Sequence, residues 1–291
     1  MEFLQPVTWA EALEARAAHP GGLPVAGGTD VLVELNFHRL HPAALIDLGQ
    51  VPGLDDVSAD GRWLRIGAAA TYDRLVTALR ADLPVLALAA RTVGSPQIRH
   101  RGTIGGNLGT ASPAGDAHPP LLAAGAEVEV ASPAGTRRIA ITDFFAGPKR
   151  NALVPAELIS AVHVPRATGP QQFAKVGPRN AMVIAVCSFA LALHPDRHQV
   201  GTGIGSAGPV PLVAADAERL LEGVLGEDGL WEAPRPLSDA VKTKFADLVG
   251  SAARPVDDVR GTAAYRAHAL RVLAGRVLDW VWAEYSRVGP G

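Results

Sequence analysis

Two glycine-rich segments constrain this chain more than any other feature of its sequence. The first, residues 26–30 (AGGTD), joins a short apolar stretch to an amphipathic one, which predicts a turn between a strand and a helix. The second, residues 101–113 (RGTIGGNLGTASP), combines glycines with small hydroxyl and amide side chains. Glycine lets backbone N–H groups approach a ligand without interference from a Cβ atom. Two such loops, separated by a folded segment, could hold one extended diphosphate from both sides.

Each segment also has an interpretation without a ligand. A strand-to-helix turn often needs glycine for its own backbone, so the first segment alone is compatible with an ordinary turn. The second segment holds more glycines than one tight turn requires, which favours a ligand. A third glycine pattern, residues 203–208, fits G-x-G-x-x-G, but Pro209 and Pro211 follow at once and prevent the helix that a dinucleotide site requires. We therefore reject a dinucleotide fingerprint there, and the pattern HQVGTGIGS predicts a strand instead.

Length and composition indicate an ordered chain with two domains. The 291 residues exceed the roughly 100–200 of a single domain, and 48% of them are hydrophobic. A formal net charge of −2 without a Lys/Arg run argues against nucleic acid as a partner. With neither a signal peptide nor an apolar stretch of about 18 residues, we expect a cytoplasmic protein that has no membrane span.

Cysteine and histidine usage argues against a metal site on this chain. The single cysteine, Cys187, lies in an apolar run and is predicted to be buried in a strand. One thiol cannot hold an iron–sulfur cluster, so any such cluster must be on another chain. The pairs His38/His41 and His194/His198 lack a third ligand at suitable spacing and are predicted to be exposed. No hydrolase motif is present, and we predict no catalytic residue.

Periodicity predicts strands and helices in the order of an α+β chain. The predicted helices are a capped helix from Thr8 to about His19, an amphipathic segment from Thr29 or Asp30, helices beginning at Thr71 and Pro84, and three near 212–222, 238–249 and 263–285. The predicted strands are LPV, AALIDL, RWLRIGAAA, AEVEVAS, RRIAITDFF, ELISAVHVP, FAKVG, MVIAVCSFALAL and HQVGTGIGS. Residues 94–116 are predicted to form a long ordered loop or a segment that wraps a ligand. We place the domain boundary near residue 168, with a first domain at 1–168 (subdomains at about 1–56 and 57–168) and a second at 169–291.

The motif pair resembles a known family. AGGTD and TIGGN, with TASPAGD directly after the second, are similar to the flavin-diphosphate loops of the FAD-binding subunits of molybdenum hydroxylases, of the xanthine dehydrogenase and carbon monoxide dehydrogenase type. The likeness covers nearly the whole chain, including LIDLGQVPGLDDV, FFAGPKRNALVPAELISAVHVP and VDDVRGTAAYRAHALRVL. It implies an α+β fold: a two-part FAD-binding domain of the vanillyl-alcohol-oxidase (PCMH) type, followed by a C-terminal sheet-plus-helices domain.

The resemblance also assigns cofactor-binding positions. Residues 25–31 and 103–107 would surround the diphosphate, Asp116 would lie near the adenosine, and Ile159 and Lys175 would contact FAD. The full set implied is Val25, Ala26, Gly27, Gly28, Thr29, Asp30, Val31, Thr103, Ile104, Gly105, Gly106, Asn107, Thr110, Ser112, Asp116, Ile159 and Lys175. Neither glycine loop contains a cysteine or a suitably placed histidine for attachment, so we predict that FAD is bound noncovalently.

The implied role is an electron relay within a hetero-oligomer. In the family, a large molybdopterin-binding subunit oxidises the substrate, and a small [2Fe-2S] subunit passes electrons singly to FAD. FAD then delivers them in pairs to an acceptor such as NAD, and we expect a dimer of heterotrimers with xanthine dehydrogenase-like activity. Purine, aldehyde, carbon monoxide and N-heterocycle substrates all stay open. Two alternatives are a stand-alone FAD-dependent oxidase of the vanillyl-alcohol-oxidase type and a flavin-free assembly subunit.

Overall fold

The computed structural model describes residues 1–289, which divide into two units. Unit 1 consists of residues 1–75, 95–112 and 126–165. Unit 2 consists of residues 76–94 and 113–125 together with the chain from Arg166 onward. The first 165 residues therefore contribute to both units.

Strands and helices are mixed along the chain, and the long helices come last. The strands are β1 (Glu2–Leu4), β2 (Leu23–Val25), β3 (Ala44–Asp47), β4 (Val57–Asp60), β5 (Trp63–Gly67), β6 (Glu127–Ser132), β7 (Gly135–Ala140), β8 (Phe145–Gly147), β9 (Arg150–Asn151), β10 (Leu158–Pro165), β11 (Gln171–Val176), β12 (Cys187–His194) and β13 (Gln199–Gly205). The helices are α1 (Trp9–Ala18), α2 (Val31–Asn36), α3 (Tyr72–Ala78), α4 (Pro84–Thr92), α5 (Pro96–Arg101), α6 (Ile104–Thr110), α7 (His118–Ala124), α8 (Ile141–Phe144), α9 (Ala215–Glu227), α10 (Asp239–Ala252) and α11 (Ala263–Val288). This mixture confirms the predicted α+β class.

Unit 1 contains two main sheets. The first is parallel, in the order β1-β3-β2, and the second is antiparallel, in the order β4-β5-β10-β6-β7. Thr8 caps α1 as predicted, because its Oγ1 accepts a hydrogen bond from the N–H of Glu11 at 3.2 Å. The loop from β2 to α2 carries the first glycine segment, so the predicted strand–turn–helix is confirmed.

Unit 2 packs helices against the antiparallel sheet β11-β12-β13. Its buried core includes Phe189, Trp231, Phe245 and Tyr285. A Cβ on Gly203 would lie 2.0 Å from the backbone carbonyl oxygen of Pro119, so glycine is needed here for close packing of β13 against α7. Residues 203–205 end this strand, which confirms the prediction of a strand rather than a dinucleotide fingerprint.

Several boundaries differ from the predictions. Residues 94–116 are not one loop, because they contain α5 and α6, capped by the side chains of Ser95 and Thr103. Glycine is a poor helix former, so the helix in IGGNLGT could not be recognised from its composition. The predicted strand RRIAITDFF ends at Ala140 and continues as the short helix α8. Strands β1 and β4 and helix α7 were not predicted.

One histidine prediction was wrong. His194 is buried, and its Nε2 lies 3.0 Å from the carbonyl oxygen of Ala123; burial lowers its pKa. His38, His41 and His198 are exposed, as predicted. Cys187 is buried in β12, also as predicted, and burial raises the pKa of its thiol to about 12. Among residues 1–289 no helix has the length and apolar character needed to cross a membrane.

Candidate functional site

The two glycine segments touch each other in unit 1. A Cβ placed on Gly27 would lie 1.8 Å from the backbone carbonyl oxygen of Arg101, a distance that no side chain tolerates. Gly28, the next residue, has φ +74°, in the left-handed region that favours glycine. Both glycines of the first segment therefore have a structural reason, and the first of them allows the two loops to meet.

Three backbone donors of the first loop have no backbone acceptor. Within residues 1–289, no backbone carbonyl accepts a hydrogen bond from the N–H of Gly27, Gly28 or Thr29. All three residues are only partly buried. Consecutive N–H groups without a protein acceptor form a concave surface that suits an anion such as a phosphate.

The second loop provides space instead of free donors. The N–H groups of Ile104 and Gly105 donate to the carbonyls of Ala70 and Ala68, at 3.1 and 2.8 Å. The N–H of Gly106 donates to the Oγ1 of Thr103 at 3.0 Å. Acceptors within the protein therefore already bind these N–H groups. The N–H groups of the first loop, in contrast, have no backbone acceptor.

Helix α6 has one packed face and one nearly bare face. Ile104, Gly105 and Leu108 are buried, and a Cβ on Gly105 would lie 2.6 Å from the carbonyl oxygen of Ala68. Gly106 and Gly109, three residues apart and so on one side of the helix, are exposed. A Cβ on Gly109 would meet nothing within 4 Å, and one on Gly106 would meet only the Oγ1 of Thr103.

Packing does not explain the two exposed glycines. A glycine in a helix costs about 1 kcal/mol relative to alanine, and here neither residue is required by a positive φ or by a neighbouring backbone. Gly223 and Gly226 on α9 are exposed in the same way, so exposed glycines alone do not indicate a ligand. In α6 they lie in the loop that contacts the first glycine segment, and they leave room there for a ligand. The residues therefore fit a bound diphosphate, and Gly109 joins the predicted set as a residue that sequence reasoning missed.

Side chains link the far ends of the two loops. The hydroxyl of Thr110 lies 3.2 Å from the Oδ2 of Asp30 and 2.9 Å from the carbonyl oxygen of Gly106, so these two acceptors share its hydrogen. The hairpin of β8 and β9, residues 145–151, contacts the C-terminal end of α6 because the Nδ2 of Asn151 donates to the carbonyl of Gly109 at 2.9 Å. The ammonium of Lys149 lies 3.1 Å from the Oε1 of Glu34 on α2. This hairpin, too, was absent from the predicted site.

Ile159 connects to the second loop through the sheet. It lies in β10 and is buried, at an irregularity in the pairing with β6. The carbonyl of its neighbour Ser160 accepts a hydrogen bond from the N–H of Ala68 at 3.0 Å. The carbonyl of Ala68 accepts in turn from the N–H of Gly105. Backbone hydrogen bonds thus connect the strand that contains Ile159 to Gly105 of the second loop.

Asp116 and Lys175 belong to unit 2, where they form an ion pair. The Nζ of Lys175 lies 2.7 Å from the Oδ2 of Asp116, and it also donates to the carbonyl of Thr92 at 2.9 Å. Only 10% of either side chain is exposed. Burial raises the pKa of Asp116, although Lys175 opposes the shift. The Oδ1 of Asp116 is buried and accepts no hydrogen bond from any residue of the described chain, so it could take one further donor.

Comparison with known proteins finds flavoprotein relatives along most of the chain. Residues 1–167 match the model for the FAD binding domain in molybdopterin dehydrogenase, and residues 172–281 match that for the CO dehydrogenase flavoprotein C-terminal domain. The nicotinate dehydrogenase FAD-subunit of Eubacterium barkeri is 34% identical over 235 residues, covering 76% of this chain and 79% of that protein. The xanthine dehydrogenase FAD-binding subunit of Escherichia coli O157:H7 is 28% identical, covering 95% and 94%.

A solved structure has the same fold. Carbon monoxide dehydrogenase from Hydrogenophaga pseudoflava, in a form that lacks the Mo-pyranopterin moiety of its cofactor, aligns with a TM-score of 0.87. The identity is 25%, and the alignment covers 98% of both chains. The chain belongs to the family of FAD-binding subunits of molybdenum hydroxylases. It is thus an oxidoreductase flavoprotein, the medium subunit of a multi-subunit complex, and the predicted FAD-binding fold is confirmed.

Proposed function

We propose that this chain holds FAD in its two glycine loops and relays electrons within a molybdenum hydroxylase complex. It would receive them singly from a [2Fe-2S] subunit and pass them in pairs to an acceptor such as NAD. The observation that carries the proposal is the contact of the two loops at Gly27 and Arg101, which joins the loop with N–H groups free of backbone acceptors to the loop that contains the bare face of α6. Bound FAD supplies the redox chemistry, and the protein supplies position and electrostatics.

The first loop would bind the diphosphate through its backbone. The free N–H groups of Gly27, Gly28 and Thr29 would donate to phosphate oxygens, while α6 would lie against the ligand. Val25, Ala26, Asp30 and Val31 would complete this loop. On the second loop, Thr103, Ile104, Gly105, Asn107, Thr110 and Ser112 would shape the remaining wall.

Three further residues keep the roles that the family implies. Asp116 would lie near the adenosine portion of FAD. Ile159 and Lys175 would contact FAD. We also retain the division into domains at residue 168 as part of the proposal.

The sequence supports partners that carry the other redox groups. Its single cysteine, Cys187, is buried in unit 2 and cannot hold an iron–sulfur cluster by itself. A small [2Fe-2S] subunit and a large molybdopterin-binding subunit would therefore complete the electron path, in a dimer of heterotrimers located in the cytoplasm. The relatives named for xanthine and carbon monoxide dehydrogenases support a complex of this kind.

FAD titration of the purified full-length chain tests the proposal directly. We expect a visible flavin absorption band, binding heat in calorimetry, and a yellow supernatant after acid precipitation because FAD is held noncovalently. A colourless chain that produces no heat with excess FAD would refute the proposal. Flavin retained on the acid pellet would refute noncovalent binding alone.

A further inference from the structure

We propose that the 145–151 hairpin, acting through Lys149, fixes the spacing of the two glycine loops and thereby slows the release of the flavin nucleotide. The inference rests on the proposed function, since it concerns the same loops. Lys149 is a positioning residue in this account, because its ammonium acts through Glu34. Its role was indicated neither by the glycine motifs nor by the family resemblance.

Lys149 is bonded to both loops at once. Its backbone N–H donates to the carbonyl of Ala111, the residue that ends α6, at 3.1 Å. Its Nζ lies 3.1 Å from the Oε1 of Glu34, on the helix that follows the first loop. One residue of the hairpin therefore holds the far end of each loop, while Gly27 and Arg101 meet at the other end.

The local backbone supports a specific role for this contact. Lys149 has φ +54° and Ala111 has φ +47°, in the left-handed region that few residues other than glycine, asparagine and aspartate adopt. Asn151 adds a second link, from its Nδ2 to the carbonyl of Gly109. The hairpin thus contacts α6 directly beside the bare face on which the diphosphate would lie.

The link between the hairpin and α2 is an ion pair between opposite charges. The hydrogen bond from Lys149 lowers the pKa of Glu34, so the ion pair favours the ionised carboxylate. Arg39 also lies within 3.6 Å of Glu34, but it belongs to the segment after α2 and makes no link to the second loop. Losing the ammonium of Lys149 would free α2 from the hairpin, so the first loop would move away from α6 more often.

The test measures the rate at which bound FAD leaves the full-length protein. Lys149→Asn tolerates the left-handed backbone and keeps the N–H but removes the cation. We expect release to become about two- to fivefold faster, the range that an exposed ion pair supports. Lys149→Arg, which retains the charge, should restore the wild-type rate. Lys242→Gln, which removes another exposed ion pair, with Asp279 in unit 2, should leave the rate unchanged.

A double-mutant cycle with Glu34→Gln separates positioning from direct contact. If Lys149 acts through Glu34, each single variant and the double variant should release FAD at the same increased rate. Additive effects, or slower release in Glu34→Gln, would mean that the cation acts on FAD itself and would overturn the inference. An unchanged rate of FAD release in Lys149→Asn would overturn the role of Lys149 but would leave the proposed binding of FAD intact. Failure of the wild-type chain to bind FAD would instead refute the proposed function and the inference together.

Discussion

The α-carbon of Gly27 faces the carbonyl oxygen of Arg101 so closely that a Cβ on Gly27 would lie only 1.8 Å from that oxygen. Two segments far apart in the sequence therefore meet through a glycine in one and a backbone carbonyl in the other. The N–H groups of the next residues, Gly28 and Thr29, donate to no backbone carbonyl within the described chain. This contact thus sets where the free donors lie relative to α6.

Gly27→Ala should damage both the fold of unit 1 and the binding of FAD. The added methyl group must displace the backbone at Arg101, and overpacking of this kind costs about 1–3 kcal/mol. We expect a lower free energy of unfolding in urea and FAD affinity weakened by at least about tenfold, equal to 1.4 kcal/mol. Gly21→Ala is the matched control, because a Cβ there meets nothing within 4 Å. Equal FAD affinity in both variants would contradict the contact.

Gly106→Val should abolish FAD binding while the protein stays folded. The branched side chain would occupy the bare face of α6, and in the protein its Cβ would meet only the Thr103 hydroxyl, at 2.9 Å. Gly223→Val is the control, since Gly223 lies in α9 with nothing within 4 Å. Circular dichroism should report folded protein for both variants, and FAD titration should separate them. Stoichiometric FAD in Gly106→Val would remove α6 from the site.

Lys175→Met should destabilise unit 2 because it leaves the buried carboxylate of Asp116 without its partner. Removing one member of a buried pair costs about 3–5 kcal/mol, whereas replacing both with apolar residues is often nearly neutral. We therefore expect Asp116→Leu combined with Lys175→Met to recover at least half of the loss, measured by urea unfolding of the FAD-free protein. Additive losses in the double variant would contradict this account.

The same variant should show a defined pH dependence. Burial already raises the pKa of Asp116 in the folded protein, and removing Lys175 removes the group that opposes this shift. A carboxyl with a raised folded pKa stabilises the fold when protonated, and this contribution is lost as the pH rises. The deficit of Lys175→Met relative to wild type should therefore shrink between pH 7 and pH 5. A stability deficit that grows on acidification would contradict a raised pKa for Asp116.

Glu129 should contribute to the stability of unit 1 at neutral pH but not in acid. Burial acts to raise its pKa, but hydrogen bonds from Ser160 and His163, each at 2.7 Å, outweigh burial and the pKa is lowered. A carboxyl whose pKa is lowered by folding stabilises the protein when the pH is above its unfolded pKa of about 4.3. This stabilisation is lost as the pH falls through the pKa of the folded state. Glu129→Gln should therefore reduce stability at pH 7 and flatten its acid dependence. Glu14→Gln, at an exposed position of α1, should retain the wild-type profile.

Much of the fold followed from local patterns. The caps of Thr8 and Thr71 and the opening of α4 at Pro84 were predicted because capping and proline effects depend on only a few neighbouring residues. The three late helices were found at nearly the predicted places because their apolar faces repeat over several turns. Strand β12 was identified from its mostly apolar sequence, although it begins at Cys187 and not at Met182.

Other elements depend on distant partners and gave no local signal. Strand β1 is three residues long, and it exists because it pairs with β3, some forty residues later. His194 appeared polar and exposed in the sequence, but the carbonyl of Ala123 provides a partner that makes its burial tolerable. The role of Lys149 was hidden for the same reason, since Glu34 and Ala111 approach it only in the folded chain.

The sequence by itself determined the family, the α+β class and the two glycine loops, because glycine placement and hydrophobic periodicity are local properties of the chain. Tertiary structure decided which glycines serve packing and which leave space. Gly27 and Gly105 accommodate neighbouring backbone, whereas Gly106 and Gly109 face an open side of α6. The physical reason is that the room around a missing side chain is defined by atoms that folding brings near, and these atoms belong to other parts of the sequence.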